Sequence, residues 1–241
     1  MGDSVTYGVR PDGRVLPEDV FPFLIERTLR SEGIPARVIN AGVPGNTTED
    51  VLKRLERDVL AHKPHVVILM IGINDGAYVD PGPKARTEPR VPLPRFRENV
   101  RTIIGRLRAA GSKVLLVTPN PISKRYIYST FGYYGNHEIT GTQQPYVQAL
   151  IEMGRALAVP VIDVFGEWRR EGALDQYLVD GVHPNAAGHS KIAERLLPQL
   201  RRLIRGAIVP IRSTQATERL PNLGRELAMR PKVWWNRGSD G

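Results

Sequence analysis

Four short polar segments of this sequence contain the groups that acyl transfer requires. Residues 2–4 read Gly-Asp-Ser and supply a hydroxyl nucleophile, and residues 180–184 read Asp-Gly-Val-His-Pro and supply an imidazole close to a carboxylate. Residues 40–46 (Asn-Ala-Gly-Val-Pro-Gly-Asn) and 72–75 (Gly-Ile-Asn-Asp) supply backbone and side-chain N–H donors. A nucleophile, a base with an orienting carboxylate, and donors for an oxyanion are together the parts of an acyl-transfer site.

The segments that must position these groups alternate between strand-like and helical patterns. Apolar runs predict four strands, at residues 36–40, 65–71, 113–118 and 160–164. Amphipathic or capped segments predict five helices, at residues 17–32, 47–61, 94–110, 142–157 and 187–204. This alternation is typical of a parallel sheet covered by helices on both faces. Reactive groups of such folds gather in the loops beyond the carboxyl ends of the strands, where we expect the four polar segments to lie.

With these four segments in this order, the chain resembles the SGNH or GDSL hydrolases. Gly-Asp-Ser alone occurs by chance in many proteins, but the full set spread over about 180 residues makes coincidence improbable. The resemblance covers residues 1 to about 204. It implies a three-layer α/β/α fold with a flavodoxin-like parallel sheet in a domain of residues 1–205. It also implies a serine esterase that acts on a small-molecule ester and needs no cofactor and no metal.

The resemblance also assigns a role to each candidate site residue. Ser4 matches the nucleophile, His183 the base that takes its proton, and Asp180 the carboxylate that orients the imidazole. The backbone N–H of Ser4, the backbone N–H of Gly45 and the side-chain amide of Asn74 match the oxyanion donors.

Several of these residues also have a purely structural interpretation. Ser4 can cap a helix, and Gly45 can serve a turn that needs a positive φ. Asn74 stands in an Asn-Asp-Gly sequence that is common in turns. Asp3 matches a family position that braces the loop, and we expect it to be structural.

Three further stretches are similar to the small-ester branch of the family, which acts on short acyl esters and acetylated sugars. They are Val91-Pro92-Leu93, Pro119-Asn120-Pro121 and residues 177–181. Two other functions stay open. One is an O-acyltransferase onto a sugar or alcohol, which shares the acyl-enzyme intermediate. The other is a noncatalytic interaction module.

The composition of the chain excludes several other classes. A sequence without cysteine has no disulfide framework, no thiolate zinc site and no cysteine nucleophile. The Gly-x-Ser-x-Gly elbow, the phosphate-binding P-loop and the Gly-x-Gly-x-x-Gly fingerprint are all missing, which argues against an α/β-hydrolase or a nucleotide-binding enzyme. A metal site at His62 and His65 lacks further ligands.

The net charge of +9 is concentrated near the end of the chain. Residues 201–241 hold nine basic and three acidic residues and so contribute +6. We expect residues 206–241 to form a basic, partly disordered extension, and we expect no nucleic-acid partner because no binding motif recurs there. The sequence lacks a membrane-length apolar run and a signal-peptide pattern, so as given it is expected to be cytoplasmic.

Two regions depart from the expected pattern. Family members usually carry an apolar strand before Gly-Asp-Ser, whereas here only Met1 precedes Gly2, so we expect a truncated first strand. A misassigned start, a replacement by another segment such as residues 207–211, or a poorly tolerated gap would each account for this. Residues 119–139 are long for a connection and hold five aromatic side chains, which suggests a substrate wall or lid, with packing or an oligomer contact as alternatives.

Overall fold

The computed structural model describes residues 1–10, 17–80 and 84–205. Within these ranges the α-helices are α1 (Ser4–Tyr7), α2 (Phe21–Ser31), α3 (Thr48–Asp58), α4 (Leu93–Ala109), α5 (Ile139–Ala156), α6 (Val164–Glu171) and α7 (Ala186–Arg205). The strands are β1 (Val66–Met70), β2 (Val79–Asp80), β3 (Lys84–Ala85), β4 (Lys113–Val117) and β5 (Val161–Ile162). The extension predicted for residues 206–241, and with it the possible replacement strand at 207–211, lies outside the described residues.

The central sheet is parallel, with β4 between β1 and β5. β1 and β4 pair along their full length, from Val66 opposite Lys113 to Met70 opposite Val117. The predicted strands at 65–71, 113–118 and 160–164 are therefore confirmed, although β5 is only two residues long. Gly2 forms isolated parallel bridges to Gly42 on one side and to Met70 on the other. These bridges give the segment order expected of a flavodoxin-like sheet.

Within the described ranges, Met1 and Gly2 are the residues that fill the first position of the sheet, between the Gly42 segment and β1. The Met1 nitrogen donates to Ile68 O at 2.8 Å, and Met70 N donates to Met1 O at 3.1 Å. These two residues reproduce the end of a strand directly before Asp3, the residue that caps α1. The part of the sheet that supports the site is thus present although the first strand is short.

The strand predicted at residues 36–40 is wrong. This segment forms no ladder; the bridge to Gly2 is made by Gly42, two residues beyond its carboxyl end. The Val38 N–H donates instead to Glu26 Oε2 on α2 at 2.6 Å. A buried or half-buried N–H needs an acceptor, and here a side chain replaces the missing neighbour.

Helices cover both faces of the sheet, and alternating strand residues divide the core into two halves. Leu69 and Leu116 pack with α3, α4 and α5, whereas Met70, Leu115 and Val117 pack with α2, α6 and α7. Successive side chains of a strand point to opposite faces, so each central strand contributes to both halves. The three-layer α/β/α fold is therefore confirmed.

Helix boundaries differ from the predicted ones at a few points. The predicted capping pattern of α3 is present, since Thr47 N–H donates to Asp50 Oδ2 at 3.1 Å. α5 begins at Ile139, three residues before the predicted start at 142, and α7 continues through Pro198. α6 was not predicted because it is short; the Asp163 side chain caps it by accepting from Gly166 N–H at 3.0 Å. Among the described helices, none combines the length and the apolarity needed to cross a bilayer.

Candidate active site

Ser4 lies at the point where the first position of the sheet turns into helix α1. Asp3 caps this helix, with its Oδ1 accepting from the Val5 N–H at 2.9 Å, and Gly8 ends it in the left-handed conformation with φ of 92°. The Ser4 N–H donates to no atom of the described residues, as expected for the first residue of a helix. The turn therefore holds the hydroxyl and leaves an N–H beside it available to a ligand.

His183 and Asp180 come from one short loop before α7 and meet Ser4 there. His183 Nε2 lies 3.0 Å from Ser4 Oγ, and His183 Nδ1 lies 2.7 Å from Asp180 Oδ2. Asp180 Oδ1 accepts from the backbone N–H groups of Val182 and His183 at 3.0 and 2.8 Å, which fixes the carboxylate. The structure thus brings a hydroxyl, an imidazole and a carboxylate into one hydrogen-bonded chain, the arrangement needed to activate a serine.

Asp180 carries a negative charge in this arrangement. Burial raises the pKa of Asp180, but hydrogen bonds and charge from His183, together with the backbone donor of Val182, outweigh it and lower the pKa to about 2. A carboxylate that stays ionised accepts the Nδ1 proton of His183 and leaves Nε2 free to accept a proton from Ser4.

Gly45 and Asn74 lie on two loops that are tied to each other and to the Ser4 turn. Val43 N–H donates to Gly2 O at 3.1 Å, and Asn74 Nδ2 donates to Asn46 O at 3.1 Å. Gly45 has a φ of 76°, so the turn does require glycine, and its N–H donates to no atom of the described residues. An amide nitrogen carries two protons, so Asn74 Nδ2 keeps a second N–H. The two loops therefore hold donors of the kind an oxyanion needs.

Two buried carboxyl groups support these loops. Burial raises the pKa of Asp3 to about 7, against the opposing effects of the Val5 N–H and the charge of His183. Burial likewise raises the pKa of Asp75 to about 6, although Thr48 N–H and Oγ1 donate to its Oδ1 at 2.9 and 2.5 Å. Asp75 thereby joins the loop that carries Asn74 to the first turn of α3. The contacts of Asp3 agree with its predicted bracing role.

Arg54 was missed by the sequence analysis, and it joins the Ser4 turn to the Gly45 loop. This side chain on α3 donates to Asn46 Oδ1 at 2.6 Å and to the backbone oxygens of Ala41 and Gly2, each at 2.9 Å. Arg54 also forms an ion pair with Asp58 at 3.3 Å. The sequence around Arg54 contains no pattern that indicates this role, because all its acceptors except Asp58 lie outside α3.

Replacing Arg54 by methionine is expected to lower the free energy of unfolding by about 3 kcal/mol, because buried acceptors would be left without donors. Arg57 is a matched control. It pairs with the same Asp58, but its side chain is 81% exposed, so Arg57→Met should leave the urea midpoint of unfolding nearly unchanged. Urea unfolding of both variants measures this difference. Equal losses for the two variants would contradict the bracing role of Arg54.

Residues 119–139 pack against the site loops. Ser123 N–H donates to Gly181 O at 2.8 Å, and Asn120 Nδ2 donates to Val182 O at 2.8 Å, so this segment supports the loop that carries His183. Its apolar side chains form a small cluster with residues of the Asn74 and His183 loops, namely Ile73, Val79, Ile122, Tyr134, Ile139 and Val182. Packing, one of the alternatives for these aromatic residues, is therefore an observed use.

His189 does not offer a second base at this site. His189 on α7 is fully buried, and neither of its ring nitrogens has a partner among the described residues. Burial lowers the pKa of His189 to about 3, so the ring is neutral. Over the ranges described, no three His, Asp or Glu side chains are grouped so that they could hold a metal ion.

Known proteins share both the sequence pattern and the fold. The model of the GDSL-like lipase/acylhydrolase family matches residues 1–191. An acetylxylan esterase of Geobacillus stearothermophilus is 30% identical over 220 residues, which cover 83% of this chain and 91% of that protein. Esterase TesA of Pseudomonas aeruginosa is 27% identical over 208 residues, which cover 85% and 87% of the two chains.

Solved structures give the same result. A lipase/acylhydrolase from Enterococcus faecalis superposes with a TM-score of 0.68 at 30% identity and covers 89% of this chain and 96% of its own. The acetylxylan esterase Axe2 of Geobacillus stearothermophilus superposes with a TM-score of 0.65 at 25% identity, covering 83% and 91%. The chain therefore belongs to the GDSL-like lipase/acylhydrolase family and is a carboxylic ester hydrolase.

Proposed function

We propose that this chain is a serine esterase that hydrolyses short-chain acyl or acetyl esters through Ser4, His183 and Asp180. The observation that carries the proposal is the chain of contacts from Ser4 Oγ through His183 to Asp180, at 3.0 and 2.7 Å. The first distance lies in the range in which a proton passes from a nucleophile to its base, and the second is that of a hydrogen bond that orients the base. The similarity to an acetylxylan esterase supports the short acyl group.

In the first half of the reaction, Ser4 Oγ attacks the ester carbonyl carbon while its proton passes to His183 Nε2. Asp180 stabilises the imidazolium that forms. The N–H groups of Ser4 and Gly45 and the free N–H of Asn74 donate to the oxyanion of the tetrahedral intermediate. When the intermediate collapses, the bond to the alcohol oxygen breaks, and His183 Nε2 gives its proton to that oxygen. The products of this half are the free alcohol and an acyl group on Ser4.

In the second half, water takes the place of the alcohol. His183 removes a proton from water as the water oxygen attacks the acyl carbon, and the same donors hold the second oxyanion. Collapse releases the carboxylic acid, and the proton held by His183 returns to Ser4 Oγ. An alcohol in place of water would instead yield a new ester, so the fate of the acyl group separates a hydrolase from an acyltransferase.

One experiment tests the nucleophile and the substrate class together. We expect p-nitrophenyl esters to be hydrolysed fastest with acetyl and other short acyl groups, and a fluorophosphonate probe to abolish this hydrolysis at one probe per chain. The probe should be found on residues 1–14, a tryptic fragment in which Ser4 is the one serine. Heat-denatured protein is the control and should not react. Labelling at another serine would contradict the proposal. If the reaction with added alcohol still yields the free acid and not a new ester, the result favours a hydrolase over an acyltransferase.

A further inference from the structure

Arg90 lies on the segment between strand β3 and helix α4, beside both loops that carry the proposed oxyanion donors. Its backbone is anchored to the turn that follows Asn74: the Arg90 N–H donates to Ala77 O at 2.9 Å, and the Val91 N–H donates to Asp75 O at 3.0 Å. Its side chain is half-buried. Two backbone hydrogen bonds therefore fix the origin of a long side chain next to Asn74.

The guanidinium of Arg90 spans the two loops. Nη2 donates to Gly45 O at 3.0 Å, and Nη1 makes a longer contact of 3.4 Å to Asn74 Oδ1. A planar guanidinium holds its donors in a fixed fork, so two acceptors bound by one arginine are held at a fixed separation. Arg90 thus links the residue whose backbone N–H is one proposed donor to the side chain that is another.

The same contact determines which way the Asn74 amide faces. Nδ2 donates to Asn46 O at 3.1 Å, while Oδ1 faces the Arg90 guanidinium. A flipped amide would place oxygen against oxygen at Asn46 and N–H against N–H at Arg90. Because a guanidinium has donors only and a carbonyl oxygen has none, just one orientation satisfies both neighbours. In that orientation one proton of Nδ2 is used by Asn46, and the other is left for a ligand.

We propose that Arg90 is a positioning residue of the oxyanion hole, which orients the Asn74 amide by binding its oxygen and restrains Gly45 by binding its carbonyl oxygen. The inference rests on the proposed function, since it concerns the donors of that site. At Asn74 the cation on the amide oxygen also strengthens the N–H groups of the same amide as donors. At Gly45 the bound oxygen belongs to the peptide that follows the donor N–H, so the effect there is on position alone. Arg90 therefore acts through Asn74 and Gly45, and its effect is greatest when negative charge develops on the substrate oxygen.

We expect Arg90→Met to lower kcat by about 10- to 100-fold and to change KM for p-nitrophenyl acetate by less than about threefold. Loss of one oxyanion donor typically costs about 100- to 1,000-fold, and a residue that acts through such donors should cost less. A role in ground-state binding would raise KM instead, and a purely structural role would lower the fraction of folded protein but not the rate per labelled Ser4.

Arg86 provides a matched control on the same segment. Its guanidinium binds Asp80 at 3.0 and 3.1 Å, away from Gly45 and Asn74. Arg86→Met should leave kcat within about twofold of the parent, because it removes a half-exposed ion pair outside the site. Added guanidinium ion should raise the rate of an Arg90→Ala variant several-fold and should not affect Arg86→Ala.

A double-mutant cycle gives the sharpest test. In an Asn74→Ala background the amide that Arg90 orients is gone, so Arg90→Met should lower kcat by clearly less than it does in the parent. An equal loss in both backgrounds, or parent-like kcat in Arg90→Met, would overturn the inference. All rates are normalised to the chains that a fluorophosphonate labels at Ser4. If the parent protein fails to label, it is the proposed function that fails, and the two failures are thereby distinguished.

Discussion

Replacing Ser4 by alanine is expected to lower kcat/KM for p-nitrophenyl acetate by at least about 10,000-fold. The change removes one oxygen atom that lies 3.0 Å from His183 Nε2 and leaves the hydrogen bond from the Val5 N–H to Asp3 Oδ1 in place. Without the hydroxyl no acyl group can be transferred to the chain, and the remaining donors can assist only a slow direct attack by water. The measurement is initial rate against substrate concentration, with the background hydrolysis subtracted.

Ser112 is a matched control for this substitution. It is also a buried serine, and its hydroxyl donates to Pro64 O at 2.7 Å, but it lies directly before the amino end of β4, whereas the site loops follow the carboxyl ends of the strands. Ser112→Ala should lose some stability, because the hydrogen bond to Pro64 O is lost. It should retain near-parental kcat/KM, because Ser112 does not contact the reacting atoms. Undiminished turnover by folded Ser4→Ala protein would refute the assignment of the nucleophile.

Replacing Asp180 by asparagine is expected to lower kcat by about 10,000-fold. The introduced amide would keep an oxygen for the N–H groups of Val182 and His183, so the loop should remain folded. Its NH2 group would donate to His183 Nδ1, which moves the ring proton to Nε2 and leaves no acceptor for the Ser4 proton. The wrong tautomer, and not a change of position, is the expected cause of the loss.

The charge of Asp180 gives this prediction a dependence on pH. Because its pKa is about 2 in the folded chain, below the ordinary value of 3.8, its stabilising effect is complete above about pH 4 and is lost only as the pH falls through 2. Asp180 does not titrate at neutral or alkaline pH, so the parent and the Asp180→Asn variant should differ in kcat by about the same factor from about pH 8 to about pH 9, where an ordinary imidazole is neutral. Asp175→Asn, which changes an exposed acid on the same connection, is the control and should retain parental kcat. If the difference in kcat between the parent and Asp180→Asn disappeared within that range, the assignment of Asp180 as the orienting carboxylate would be contradicted.

Much of the fold could be predicted from local pattern. The apolar runs around β1 and β4 and the periodic helices α4 and α7 are long enough for their type to follow from side-chain spacing alone, and the capping pair at Thr47 and Asp50 marks the start of α3 correctly. The exceptions have clear causes. Residues 36–40 have a strand-like composition, but a strand also needs a partner along its length, and α6 is too short for its periodicity to be recognised.

The candidate site likewise contains some residues that the sequence identified and others that it did not. Ser4, Asn74, Asp180 and His183 could be singled out because four short segments with suitable residue types together resemble those of the GDSL hydrolases, and the roles that the resemblance implies stay predictions until the variants are measured. The contacts of Arg54 and Arg90 could not be inferred. Arginine is common on surfaces and in helices, and nothing in its neighbours along the chain indicates that its acceptors lie on other loops.

The sequence alone was thus sufficient to identify the candidate groups of the site. These are a serine in a turn, two loops with N–H donors, and a histidine with a carboxylate three positions before it. The sequence was sufficient because turns, caps and strand ends depend on neighbours along the chain. Folding in three dimensions established that Ser4 and His183, which are 179 positions apart, lie 3.0 Å from each other, and that one arginine joins Gly45 to Asn74. Such contacts depend on the packing of the whole α/β/α core, which no local stretch of sequence encodes.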